Sequence, residues 1–424
     1  MTTLKGVFIK VGALSLIVVM GLVALLTMGG QEGSARTSLA GTNVAVLSPA
    51  SQSVVYASVN DPSASGVYRS GDGGRTWQLA SRELSKQVNA LAVSPADPKV
   101  VYAGTSGNSI ASGENSLYVS TDSGQRWNKT PLLLPASAEG KVPGVLSLAA
   151  DPSDASTLYV GTDGQGIYKL TEKGTTIAAL GSDVFSGARV DQIAVAPSDS
   201  QQLFAVTSKG LFASKDGGTI WSEVQTLPEH TLALAVAPSN SQMLYAGTTS
   251  MGAYRSTDGG LTWQAIGEGL GLVPGAALAV DRIEVDPQNP LLVYAVPSYV
   301  LGTGSGHPTS LGVYVTYDGG DSWRQLSSSA TTGQVNSLVA APKQGGEVYL
   351  GTEQGVFLAN QAGAGAVNSQ DPLPSSILID GEGKVALSRV LVILFTLVAA
   401  CAVLVVNPLK ACRSLLGRSG QVCE

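Results

Sequence analysis

Cysteine and histidine are nearly absent from this chain of 424 residues. Its three cysteines, Cys401, Cys412 and Cys423, all lie near the C-terminal end, so the bulk of the chain folds without disulfides or thiolate metal sites. With His230 and His307 as its two imidazoles, a His-rich metal centre is excluded, and no cofactor is implied. Charge is also scarce, at 13% of residues, whereas glycine is abundant at 51 residues. Strand formers broken by Gly, Pro, Ser and Asp turns dominate, which points to an all-β protein.

The formal charge of −6 is unevenly spread. Residues 1–29 carry Lys5 and Lys10 with no acid, and residues 388–424 carry Arg389, Lys410, Arg413 and Arg418 against Glu424. The segment between them keeps 19 basic and 30 acidic residues, a balance that repels nucleic acid. Long uncharged runs occur twice, at residues 11–28 and within residues 388–407. Each is long enough to span a bilayer, and their basic flanks place residues 1–10 and 408–424 in the cytoplasm. A cleaved signal peptide is the alternative for the first run. The expected organisation is thus a cell-membrane protein with two spans, both termini cytoplasmic and the middle of the chain outside. A linker or closing strand at 29–41 and a flexible tether at 361–387, rich in Gly, Ala and Ser, complete it.

Between the runs the sequence repeats. Each unit opens with an apolar strand ending in a proline, at Pro49, Pro95, Pro152, Pro197, Pro238, Pro287 and Pro342. A turn rich in Asp, Asn and Ser follows, then a strand of the type Val-Tyr-Ala-Gly-Thr marked by Tyr56, Tyr102, Tyr159, Phe204, Tyr245, Tyr294 and Tyr349. A third strand leads into a turn, and a fourth begins near a tryptophan. Seven units of four short strands predict a seven-bladed β-propeller over residues 42–360.

The turn has a signature of its own, aromatic-x-Ser-x-Asp-Gly-Gly-x-x-Trp, best seen at Tyr254–Trp263. The good copies carry Asp72 and Trp77, Asp122 and Trp127, Asp216 and Trp221, Asp258 and Trp263, and Asp318 and Trp323, which accounts for all five tryptophans. Asp-Gly-Gly suits a hairpin that needs positive φ, with the carboxylate accepting bonds from the turn's own N–H groups and Trp packing back over it. The pattern resembles the Asp-box, or BNR repeat, of sialidases, sortilin-type receptors, xyloglucan-cleaving glycosidases and photosystem II assembly-factor propellers. The resemblance implies a propeller hairpin and a structural role for these aspartates, not one activity. Two units are worn: the third has Glu172 and Ile177 in the Asp and Trp places, and the seventh lacks a Trp. Residues 364–369 or the segment near 34–40 would complete the last blade.

Candidate binding residues follow from blade geometry. Connections after the second and fourth strands open on one rim, and the insertions at 58–65, 106–116, 130–144, 265–279 and 298–311 all fall there, as on a binding surface or a tolerant one. Most innermost strands carry small residues, but the sixth has Asp281, Arg282 and Glu284, and Asp191 occupies the same column in the fourth. These charges either meet a ligand at the central channel or pair between blades. Tyr299 and His307 add to the rim. The arginines beside the turns lie at the outer edge and cannot converge on a sugar carboxylate as those of sialidases do. Glycoside hydrolysis needs two carboxyl groups about 5–10 Å apart, and Asp191, Asp281 and Glu284 are the candidates. The expected function is a membrane-anchored scaffold binding a protein or carbohydrate on the insertion-bearing rim. A glycoside hydrolase and a purely structural surface protein are the alternatives.

Overall fold

The computed structural model describes residues 42–360 except 49–50, 61–64, 82–83, 85–86, 106–116, 131–142, 229, 272–275, 302–308, 327–333, 342–345 and 354. They form seven antiparallel sheets arranged as a seven-bladed all-β propeller. The innermost strands are Thr42–Ser48, Val88–Val93, Val145–Ala150, Val190–Ala196, Thr231–Val236, Ala276–Val285 and Val335–Ala340. Each touches the next, and the strand of blade seven returns to that of blade one, so the ring is closed around a central channel. Blade seven shows three strands among the described residues, and both segments expected to supply its fourth lie outside them.

The sequence repeat becomes packing at the second strand of each blade. Tyr56, Tyr102, Tyr159, Tyr245 and Tyr294 are fully buried. Three of the hydroxyls reach across the seams: Tyr56 donates to the Ser123 carbonyl at 3.0 Å, Tyr102 to Ala155 at 3.0 Å and Tyr245 to Pro290 at 2.8 Å. Burial pushes the Tyr102, Tyr159 and Tyr245 phenols up to about 12. Two residues on, the glycine of Tyr-Ala-Gly-Thr sets the seam width. A β-carbon on Gly104 would collide with Val145 of the following blade, one on Gly161 would meet Val190 at 2.8 Å, and one on Gly247 would collide with the Val280 carbonyl.

The Asp-Gly-Gly turns close on themselves as their residue types require. Asp258 accepts the Thr262 N–H at 2.9 Å and the Thr262 and Ser256 hydroxyls at 2.5 and 2.8 Å, while Ser256 Oγ accepts the Gly260 N–H at 2.9 Å. The first three contacts hold the Asp258 carboxyl down at about 2, the Thr262 hydroxyl contributing most. Gly259 and Gly260 have φ of 74° and 91°, a region open to glycine at no steric cost. The Trp263 ring packs 3.7 Å from where a β-carbon on Gly260 would sit, an ordinary contact, so it is the positive φ that selects glycine there. In worn blade three, Glu172 accepts the Thr175 and Thr176 hydroxyls at 3.1 Å each, so the longer acid still fastens the turn.

Among the described residues no helix is long and apolar enough to cross a membrane. The two apolar runs expected as spans lie outside those residues.

Candidate functional site

Every innermost strand carries a β-bulge at its entrance. The register skips one residue in each blade, leaving Asn43, Asn89, Leu146, Asp191, Leu232, Asp281 and Asn336 without a cross-strand partner. A bulge re-aims its side chain, and none of the last six is buried. The result is a circle of bulged residues at the end of the channel where the insertion-bearing connections emerge. Five of the seven are Asn or Asp, a polar residue set in the opening of an apolar strand.

Two of these residues are aspartates with side-chain partners. Asp191 pairs with Arg189, Nε to Oδ1 2.6 Å. Asp281 accepts the Ser298 hydroxyl at 2.7 Å, from the neighbouring strand Val293–Leu301. Arg282 lies beside them: its Nε donates to the Asn336 carbonyl of blade seven at 3.0 Å and its Nη1 to the Asp281 carbonyl at 2.7 Å. Its guanidinium is reachable from the channel, yet the surrounding walls strip much of its water. That desolvation lowers its pKa, while the charges of Asp281 and Asp191 push the other way. One guanidinium therefore feels the carboxylates of blade six and blade four together.

Glu284 sits deeper, on the same strand face as Arg282, and turns toward blade seven. Burial pushes its carboxyl up to about 8, against the hydrogen bond it accepts from the Ala340 N–H. Arg282 and Glu284 do not pair with each other; each bonds to the backbone of blade seven.

Their presence has a structural cause. Blades with Gly104, Gly161, Gly247 and Gly351 at the seam pair that glycine with a small inner residue: Ala90, Ser147, Ala233 and Ser337. Blades four and six have Val206 and Val296 instead, opposite Gln192 and Arg282. A long polar side chain then spans the seam: Gln192 donates to the Leu234 carbonyl at 2.7 Å and accepts its N–H at 2.9 Å.

The predicted rim residues fare unevenly. Tyr299 belongs to a strand rather than a loop, because the inner strand of blade six runs five residues past its bulge, pairing Leu278 with Tyr299 and Ala279 with Ser298. Parts of the insertions expected at 265–279 and 298–311 are thus an ordered ribbon, with Thr309–Ser310 as its third strand. His307 lies outside the described residues. Sequence reasoning missed Arg189 and Ser298, whose only signal was proximity to the charged column, and the amide bulges Asn89 and Asn336. The turn aspartates stay at the opposite rim, fully engaged in their own turns, and no group of acids, histidines and cysteines among the described residues could hold a metal ion.

No protein-family model matches the chain. It is 31% identical over 200 residues to the xyloglucanase Xgh74A of Acetivibrio thermocellus, covering 44% of this chain and 20% of that one. It is 28% identical over 296 residues to a xyloglucanase of a Paenibacillus species, covering 67% and 23%. The chain thus spans about a fifth of the length of these curated relatives. Among solved structures, the GH74 xyloglucanase from Xanthomonas campestris superposes with a TM-score of 0.62 at 17% identity, covering 78% of this chain and 53% of that one. YCF48 bound to a D1 peptide superposes with a TM-score of 0.56 at 16% identity, over 78% and 95%. The structural matches establish the propeller fold.

These similarities correct two expectations. Xyloglucanase relatives favour a glycoside hydrolase over the binding scaffold that charge and loop lengths suggested. The cell-membrane placement with cytoplasmic termini is likewise set aside: it rested on two apolar runs and their basic flanks, and neither the described residues nor the relatives' names carry it.

Proposed function

We propose that this propeller is the glycan-engaging part of a glycoside hydrolase of the Asp-box repeat type, acting on xyloglucan-like β-glucans. The observation that carries the reading is the 31% identity to a xyloglucanase over 200 residues. The channel entrance supplies fitting chemistry. Asp191, ion-paired with Arg189, and Asp281, held by Ser298, offer carboxylates of the kind that stabilise a cationic transition state or activate water. Glu284, with its carboxyl raised to about 8, offers a group that keeps its proton at neutral pH, the form a general acid needs. Arg282, held by its bond to blade seven, adds a positive charge within the field of Asp281 and Asp191. The described residues form one ring, so carboxyl groups acting together within them come from its own entrance.

The test is to incubate the purified full chain with xyloglucan and with a panel of other glycosides, and to measure new reducing ends. Cleavage of xyloglucan is expected, falling at least about a hundredfold in Asp191→Asn, Asp281→Asn or Glu284→Gln, the lower end of what a positioned acid or base contributes. A wild-type protein that cleaves no glycan would overturn the reading.

A further inference from the structure

The ribbon of blade six distinguishes this ring from a sevenfold repeat. Its inner strand has 10 residues, against 6 or 7 in the other blades. The excess lies at the entrance of the channel, beyond the bulge at Asp281. There Ala276–Ala279 pairs with Ser298–Leu301, and Ser298 and Tyr299 pair onward with Ser310 and Thr309. Directly paired residues share a face, so one side of the ribbon presents Leu278, Tyr299 and Thr309, and the other Ala279, Ser298 and Ser310.

The ribbon is fastened to blade five. Leu278 forms a parallel bridge with Met251, donating its N–H to the Ser250 carbonyl at 3.1 Å and accepting the Gly252 N–H at 2.9 Å. Leu278 is buried in this contact, Tyr299 stays partly exposed, and Met251 is 54% exposed. The other exposed large apolar residues are Leu79, Ile220, Leu261 and Leu291. Leu79, Ile220 and Leu261 belong to, or directly follow, the Asp-Gly-Gly turns, and Leu291 bonds to one of those turns through its carbonyl. Among the described residues, Met251 is therefore the large exposed apolar side chain of the channel-entrance rim. Through its bridge to Leu278 it shares a sheet face with Tyr299, one strand further on, and Ser298, the residue before Tyr299, donates to Asp281.

We infer that Tyr299 and Met251 form a stacking platform for the pyranose rings of a neutral β-glucan chain, which leads the chain to the charged entrance. This deepens the xyloglucan reading above and rests on it. A sugar ring has apolar C–H faces and a hydroxyl rim, and it is recognised by a flat apolar surface next to hydrogen-bonding groups. The platform supplies the surface, Thr309 on the same face supplies a hydroxyl, and Asp281 and Arg282 at the entrance supply an acceptor and donors. The Arg189 charge is paired with Asp191, and that of Arg282 lies beside Asp281, so these matched charges offer no excess of either sign to attract an acidic or basic chain. Bracing by blade five holds the platform before ligand arrives, which limits the ordering cost of binding.

The experiment measures calorimetric affinity of the full chain for xyloglucan oligosaccharides and unbranched cello-oligosaccharides, with reducing-end release followed in parallel. Tyr299→Ala is expected to weaken binding about tenfold, raising KM more than it lowers kcat, while Tyr299→Phe retains affinity and the thermal midpoint is unchanged. Met251→Lys, at an exposed position, gives the same loss should Tyr299→Ala fail to fold. Wild-type cleavage with full affinity in both variants would overturn the platform and leave the proposed activity standing. Failure of the wild type to bind or cleave any glucan would overturn both, as would binding of an extended apolar peptide at Tyr299 in place of the sugar.

Discussion

Asp258 and Asp281 are the same residue type in two places, and hydrogen bonding decides what each can do. Asp258 spends its oxygens on Ser256 and Thr262 within its own turn. Asp281 has one recorded side-chain bond, from Ser298, and opens on the channel. The turn aspartates are therefore folding devices. Asp72 makes the same set, accepting Ser70 Oγ at 2.7 Å, the Thr76 N–H at 2.8 Å and the Thr76 hydroxyl at 2.6 Å. Asp72→Ala is expected to lower stability by about 1–2 kcal/mol, read from denaturant unfolding, and to leave glycan cleavage unchanged. Lost activity at full stability would show that the turn touches substrate.

The blade is a four-strand unit whose spacing is set at one position of its second strand. Gly247 faces Ala233 across the sheet and the Val280 backbone across the seam, with no room for a methyl group. Gly247→Ala should cost about 3 kcal/mol, since the crowded atom is a backbone carbonyl that cannot swing aside. The same element accounts for the site. Where Val296 replaces the glycine, Arg282 fills and bridges the seam, and its head emerges at the entrance. A seam variation and a bulge together turn a structural strand into a candidate functional one. Both are invisible in a propensity reading, because neither changes the apolar character of the strand.

At the scale of the whole ring, opposed titrations set a pH optimum. The Asp258 carboxyl is held at about 2 by the Thr262 hydroxyl, and Asp122, Asp216 and Asp318 are lowered chiefly by the Arg126 N–H, the Ile220 N–H and the Ser322 hydroxyl. A depressed folded-state value gives stability that is present above the unfolded value near 3.8 and lost as pH falls below it. Glu284 works in the opposite sense. Its protonated form is favoured on folding, so stability declines as pH rises from the ordinary 4.5 toward about 8. Tyr102, Tyr159 and Tyr245, raised by burial to about 12, withdraw further stability above the ordinary value of 10.0. The thermal midpoint should therefore peak in mildly acidic buffer, at about pH 4–5. Glu284→Gln should flatten the neutral limb and raise the midpoint at pH 8; a midpoint that climbs steadily to pH 8 in the wild type would contradict the account.

The sequence by itself determined the seven-bladed ring and the role of its turns, because both depend on local chemistry. Asp-Gly-Gly needs no distant partner to make its hairpin, and a tyrosine every blade announces a repeated buried strand. It also marked Asp191, Asp281, Arg282 and Glu284, since charge inside an apolar strand stands out without coordinates. The tertiary structure alone decided how these residues are used. Register, not composition, creates the bulges that turn Asp191 and Asp281 into the entrance. Closure of the ring brings Arg282 within the field of a carboxylate two blades away and strips water from Glu284, which stays only partly exposed. The extension of one hairpin converts a stretch read as loop into a braced ribbon carrying Tyr299. Such effects arise between segments far apart in the chain, where side-chain pattern has no purchase and only the packing of blade on blade fixes distance, direction and dielectric.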